Sequence, residues 1–454
     1  MDTSTDKSVA RLSKALTYPT VSAADPADLP DPDVFRRFED FLTSSFPEVS
    51  RELTRESPGD PGLLYTWPGT NADADPIILT AHYDVVPADK PEEWTHAPFG
   101  GEVADRAVWG RGALDDKSSL MAILEATERL LEAGFQPERT VLFAFGGDEE
   151  VSGQRGASRI AAELQSRGVR AACLVDEGTA VVENTIKLIE RPVALVGMAE
   201  KGYVDVRLAV RGAEGHASMP SRRTATGRLA RALCRIERRP FPTRVVPSVH
   251  EFLSSLAEAA PMVYRPILRR PRLFAPILKR VLAADPKTDA LVRTTQSPTM
   301  LSGSGASNVL PGRVEAVVNV RILPGETIET VLKRFRRVIA DPSVEIDVLD
   351  PSGSSDPVAA SPVDTDIFRS LCTVISKQFQ DAVLAPYLVT ATTDSKHYRT
   401  VARAIYRFLP VRMDPAGLDS IHGVNERIGL RDYRGMIEFY SDLIATLSNG
   451  AEHT

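Results

Sequence analysis

Between Thr80 and Glu177 the chain repeatedly ends an apolar run, or begins a helical pattern, on a carboxylate or a histidine. PIILTA leads into His82 and Asp84, GRGAL leads into Asp115 and Asp116, VLFAF leads through two glycines into Asp148, Glu149 and Glu150, and ACLV delivers Asp176 and Glu177. Short β-like runs alternating with helix-period segments describe an α/β sheet, and such sheets keep their sites outside the carboxyl ends of the strands. Each pair taken alone has a plain structural explanation, but the recurrence of acids at one topological position does not.

The rest of the composition limits what this stretch can belong to. A chain of 454 residues exceeds what one core usually supports, so more than one domain is expected. A formal net charge of −7 argues against general nucleic-acid binding. No apolar run approaches the roughly 20 residues that span a bilayer, and the N-terminal stretch lacks the apolar core of a secretory signal, so a cytoplasmic location is expected. Cys173, Cys234 and Cys372 are odd in number and widely spaced, which fits buried reduced thiols.

Strands are predicted at 63–67, 77–80 and 140–145, and helices near 5–16, 32–44 and 117–131, the last stopping at Gly134. In an extended segment residues i and i+2 share a side, so His82 and Asp84 can reach one site, one binding a metal while the other orients it. Asp116 could be a simple helix N-cap, a role that leaves the adjacent Asp115 unexplained. Glu149 and Glu150 point in different directions, so one can hold a metal while the other faces water; a solvated acidic loop is the plain alternative.

The motifs AHYDVVPA, GRGALDDK, DEEVSG, EKG, GHAS, TDSKHY and HGVNE, in this order, resemble those of the cocatalytic di-zinc metallohydrolases, which include carboxypeptidase S, aminoacylase and succinyl-diaminopimelate desuccinylase. The resemblance is greatest to the branch holding carboxypeptidase S and the N-fatty-acyl amino acid synthase/hydrolases, and it covers nearly the whole chain. It implies an α/β/α metallopeptidase domain with a mixed sheet, interrupted by an inserted α+β lid of the dimerisation type. The expected division is 1–198 and 352–454 for the catalytic domain and 199–351 for the lid.

Carried over by position, the resemblance makes His82, Asp115, Glu150, Asp176 and His422 the metal ligands, with Asp115 bridging two ions. His82 and Asp176 would complete one site, Glu150 and His422 the other. Glu149 would be the general base, Asp84 would orient His82, and the Asp115–Asp116 peptide bond would be cis. Zinc is the expected metal, with cobalt or manganese able to use the same ligands. His397 is not matched as a ligand, and a neutral hydrogen-bonded role is expected for it.

Alternating strands at 203–210, 314–322 and 344–348 fit the inserted domain. Within it the resemblance implies that His216 steadies the oxyanion, supplied by the partner subunit in dimeric relatives, and that Asn308 and Arg321 bind substrate. A homodimer through the lid is one arrangement it allows. Residues 250–295 exceed a minimal lid and mix Leu, Ile and Phe with clustered Arg and Lys. Extra lid helices around the substrate mouth are the preferred reading; a membrane-surface segment and a partner surface are the others. The expected activity is metal-dependent cleavage of an amide next to a free carboxylate, in a small peptide or an N-acyl amino acid. Condensation in the reverse direction and a non-catalytic binding protein are the rivals.

Overall fold

In the computed structural model, which describes residues 6–31 and 33–449, a ten-stranded mixed sheet forms the centre. Its middle consists of four mutually parallel strands, in the spatial order Val141–Gly146, Ile77–His82, Cys173–Asp176 and Ile405–Arg407. Strands buried on both faces read as continuous apolar runs, and Ile77–His82 and Val141–Gly146 are buried at every position. Gly62–Trp67 and Thr54–Gly59 extend one edge antiparallel. On the other side Val193–Glu200 pairs in parallel with Val383–Val389, so the chain returns to the same sheet after a long excursion.

Helices cover both faces. Lys117–Glu132 is buried along its first three turns, and it packs with Lys7–Leu16 and Leu430–Ser448 in the main apolar cluster. Ala157–Ser166 covers the opposite face through Ile160 and Leu164. The expected mixed α/β fold is therefore present.

The excursion builds a second, four-stranded antiparallel sheet from Thr295–Ser302, Arg313–Ile322, Gly202–Arg211 and Val344–Val348. Ala225–Glu237 and Ile328–Ile339 pack on it through Leu229, Ile236, Val331 and Phe335, giving it a core of its own. Residues 351–357 run back beside Gly202–Arg211, with Ser355 bridged to Tyr203.

Two expectations need correction here. Cys234 is exposed rather than buried, because it lies on the solvent side of its helix. Asp116 begins a helix, but its carboxylate caps nothing; both oxygens are buried without a hydrogen-bond partner.

Candidate metal centre

The carboxyl ends of the four parallel strands open into a cavity of about 630 Å³ lined by Asp115, Glu149, Glu150, Glu177 and His422, among others. Asp115 is its centre. His82 Nε2 lies 2.8 Å from Asp115 Oδ1, and His422 Nε2 lies 3.0 Å from Asp115 Oδ2. One carboxylate thus faces two imidazoles, one on each oxygen. His422 Nε2 is also 3.1 Å from Glu150 Oε1.

Local structure explains how these groups are held. Gly112 takes a φ of +87°, and a Cβ there would fall 2.9 Å from Val85 Cγ1, so the turn before Asp115 demands glycine. The loop is then fixed from a distance by Glu426, whose buried carboxylate accepts hydrogen bonds from the backbone N–H groups of Gly112, Leu114 and Asp115 at 2.8–3.2 Å. Arg111 closes the arrangement with a 2.7 Å ion pair to the same carboxylate. The Asp115–Asp116 peptide bond is cis, as expected.

Asp84 does more than orient one histidine. Its Oδ1 is 3.3 Å from His82 Nδ1, while its two oxygens accept the backbone N–H groups of Glu149 and Glu150 at 3.0 and 3.1 Å. One buried carboxylate therefore sets the imidazole and both glutamates together.

The electrostatics are those of a site built for cations. Burial pushes Glu149 well above the usual carboxylate range, and the charges of Asp394 and Glu150 add to the effect. Burial likewise raises Glu177, helped by the charges of Asp115, Asp176 and Asp116. For Asp115 burial works upward, but hydrogen bonds from His422 and His82 outweigh it and hold the group below the usual range. His422 is pushed up to about 10 by its hydrogen bonds to Asp115 and Glu150. Donor atoms of His82, Glu149 and Glu150, and separately of Asp115, Glu150 and His422, lie within 4.8 Å of one another. Oxygen and imidazole donors without cysteine, crowded around one shared carboxylate, fit divalent ions of the zinc type.

Asp176 is not among the gathered groups. Its Oδ1 accepts from Thr80 Oγ1 at 2.6 Å, and its Oδ2 accepts from Thr393 Oγ1 and the Ser395 N–H at 2.7 and 3.1 Å. Asp176 ends its strand on the side that Leu174 occupies, and neighbouring residues of an extended chain face opposite ways. Glu177, one residue on, lines the cavity instead. Of the two adjacent acids, Glu177 rather than the expected Asp176 faces the cavity.

His216 and Asn308 are also outside the cavity. They sit side by side in a short exposed ladder, where His216 pairs with Val309 and the Asn308 carbonyl accepts the Ala217 N–H at 2.9 Å. Arg321 does line the cavity, its guanidinium 4.7 Å from the centre of the Tyr203 ring. His397 is neutral as expected, its Nε2 2.9 Å from the Ser152 carbonyl and burial pushing it down to about 4. Sequence reasoning assigned no role to Lys396, which lines the cavity from the quoted TDSKHY motif, nor to Glu426, which ends the quoted HGVNE motif. Nothing from 250–295 lines the cavity itself.

Residues 78–446 match the model of peptidase family M20/M25/M40. The chain belongs to this family. It is 36% identical over 438 residues to a probable carboxypeptidase S-like 2 of Dictyostelium discoideum, covering 96% of this chain and 84% of the relative. It is 37% identical over 440 residues to the N-fatty-acyl-amino acid synthase/hydrolase PM20D1 of Xenopus tropicalis, covering 96% and 85%. Its fold is also that of an M20 family metallo-carboxypeptidase from Sulfolobus solfataricus, with a TM-score of 0.69, 18% identity and coverage of 99% and 100% of the two chains. As an M20/M25/M40 member this chain is a metallohydrolase of amide bonds that uses divalent metal. Among the described residues no helix is long and apolar enough to cross a membrane.

Proposed function

We propose that the chain hydrolyses the amide bond between an apolar acyl group and an amino acid whose carboxylate is free, with Glu149 as general base. The observation that carries this reading is Asp115 facing an imidazole on each of its two oxygens, beside two glutamates held by one aspartate. His82, Asp115, Glu150, Glu177 and His422 would hold two divalent ions, with Asp115 shared and Glu177 standing where Asp176 was expected. Zinc is the metal this donor set favours. Bound there, the ions would polarise the scissile carbonyl and lower the pKa of water toward neutrality.

The protein groups do the rest. Glu149, poised upward in pKa by burial, accepts a proton from the attacking water and later delivers it to the leaving amine. Arg321, reaching the cavity from the second sheet, would grip the substrate carboxylate, a task suited to its planar fork. Leu114, Leu409, Met413, Leu418 and Ile421 supply an apolar wall for the acyl side. The same groups serve condensation by microscopic reversibility, a reading favoured only by the synthase/hydrolase name of the PM20D1 relatives.

Residues 199–351 would then act as the inserted lid between catalytic segments 1–198 and 352–454. A homodimer through this lid is supported by its edge strand Thr295–Ser302, which exposes Met300 and Leu301, and by Met219 and Val309 beside His216 and Asn308. In such a dimer His216 would reach a partner's cavity and steady the oxyanion there.

The test is turnover by zinc-loaded protein of two matched panels, N-acyl amino acids of increasing chain length and unblocked dipeptides. Glu149→Ala should lower kcat by about a hundredfold to ten-thousandfold while retaining metal. Turnover confined to dipeptides would overturn the acyl assignment, and unchanged activity of Glu149→Ala would overturn the mechanism.

A further inference from the structure

We propose that residues 262–281 form a docking surface for the anionic face of a lipid bilayer. Of the large apolar side chains exposed in the described structure, Met262, Val263, Tyr264, Leu273, Ile277 and Val281 all fall within this one segment, at 41–79% exposure. Large exposed apolar groups gathered in one place mark an interaction site, whereas scattered ones need no explanation.

The segment is anchored to the molecule beneath that surface. Leu268 and Leu278 are buried, and with Ile267, Phe274 and Leu282 they pack into a cluster shared with the sheet residues Leu195 and Leu388. Ile277 and Val281 are four residues apart on the helix Ala275–Leu282, so they share an outward face that borders the buried Leu278, with Leu273 one turn earlier. The apolar groups are therefore presented outward by a helix that Leu278 anchors to the core.

Charge selects the occupant. Between Glu258 and Asp285 the chain carries Arg265, Arg269, Arg270, Arg272, Lys279 and Arg280 and no acidic residue, although the whole protein has a net charge of −7. Arg269 is paired with Glu258; Arg270, Arg272 and Arg280 are exposed. Outward apolar side chains interleaved with cations are what an interfacial helix presents to acyl chains and anionic headgroups. A second copy seated symmetrically would bring the same cations against themselves, which disfavours it as the occupant. The helices are far too short to span, so the contact is with one leaflet.

The experiment is co-sedimentation of the full-length metal-loaded protein with vesicles of phosphatidylcholine alone or mixed with phosphatidylglycerol, at low and high salt. Binding to the mixed vesicles, weakened by salt, is expected. Each cation near an anionic leaflet contributes roughly fivefold to partitioning, so Arg270→Gln/Lys279→Gln/Arg280→Gln should bind on the order of a hundredfold more weakly. Ile277→Asp/Val281→Asp, at exposed positions that leave the core intact, should abolish binding while circular dichroism stays unchanged. Absence of binding to the mixed vesicles, or full binding by the Asp double variant, overturns the proposal. So does a concentration-dependent dimer in sedimentation velocity that the double variant abolishes without any vesicle binding. The readout is partitioning, so a negative result leaves the amidase reading intact.

Discussion

His82 and His216 are both marked by strong sequence motifs, yet their surroundings are opposite. His82 is buried, with one ring nitrogen facing Asp84 and the other facing Asp115. His216 is exposed, and its Nδ1 reaches no farther than the hydroxyl of Ser218, 2.7 Å away. The difference teaches that a motif alone does not place a histidine at the cavity. The group at the ends of the large sheet is assembled by one chain, whereas His216 and Asn308 stand exposed at a separate two-stranded ladder, outside the cavity.

Breaking the buried side of this comparison should have the largest effect. Asp115→Asn removes the shared carboxylate charge between two imidazoles, so elemental analysis should find metal lost and kcat/KM should fall at least about a thousandfold. A retained full metal content would mean that Asp115 is not the shared ligand. The assignment within the pair at 176 and 177 is sharpened next. Glu177→Gln should lower metal content, whereas Asp176→Asn should keep the metal and cost about 2–4 kcal/mol of stability, because it disturbs three buried hydrogen bonds. The reverse outcome would restore Asp176 as ligand.

The exposed side is tested by complementation. Glu149→Ala and His216→Ala should each be inactive alone, and mixing them should recover roughly a quarter of wild-type activity if the two residues meet across a symmetric dimer. No recovery, with full activity of His216→Ala alone, would confine the chemistry to one chain. Arg321→Met should raise KM by roughly tenfold to a hundredfold with a smaller change in kcat, as loss of a charged hydrogen bond to substrate requires.

The smallest effect concerns pH. In chelator-treated protein His422 has a folded pKa of about 10, above its ordinary 6.5, so its contribution to stability is full below about 6.5 and disappears as pH rises through about 10. A melting series should show that slope, and His422→Asn should lack it. Metal competes for the same nitrogen, so metal affinity should rise with pH over this range.

Much of this was legible in the sequence because strand ends and helix starts are local events. Val344–Val348 falls where its alternation predicts, and the helix at 117–132 and the strand at 141–146 fall within a residue of their expected bounds. The ladder Val193–Glu200 with Val383–Val389 was not foreseen, since its partners are almost two hundred residues apart and a continuous apolar run carries no period. The slip between Asp176 and Glu177 has a different origin. Which of two adjacent acids enters a cavity depends on where Thr80, Thr393 and Ser395 lie in space, and two of those come from the far side of the insertion. Glu426 was overlooked for a similar reason, because a carboxylate serving backbone N–H groups more than three hundred residues upstream leaves no local trace.

That last contact has a consequence in time. A ribosome releases the loop bearing Asp115 first, the second sheet later, and Glu426 with His422 more than three hundred residues after Asp115. Until those two have emerged, the backbone N–H groups of Gly112, Leu114 and Asp115 lack the carboxylate that receives them, and the centre lacks one imidazole. The groups that surround Asp115 therefore come together only after the second sheet has been made.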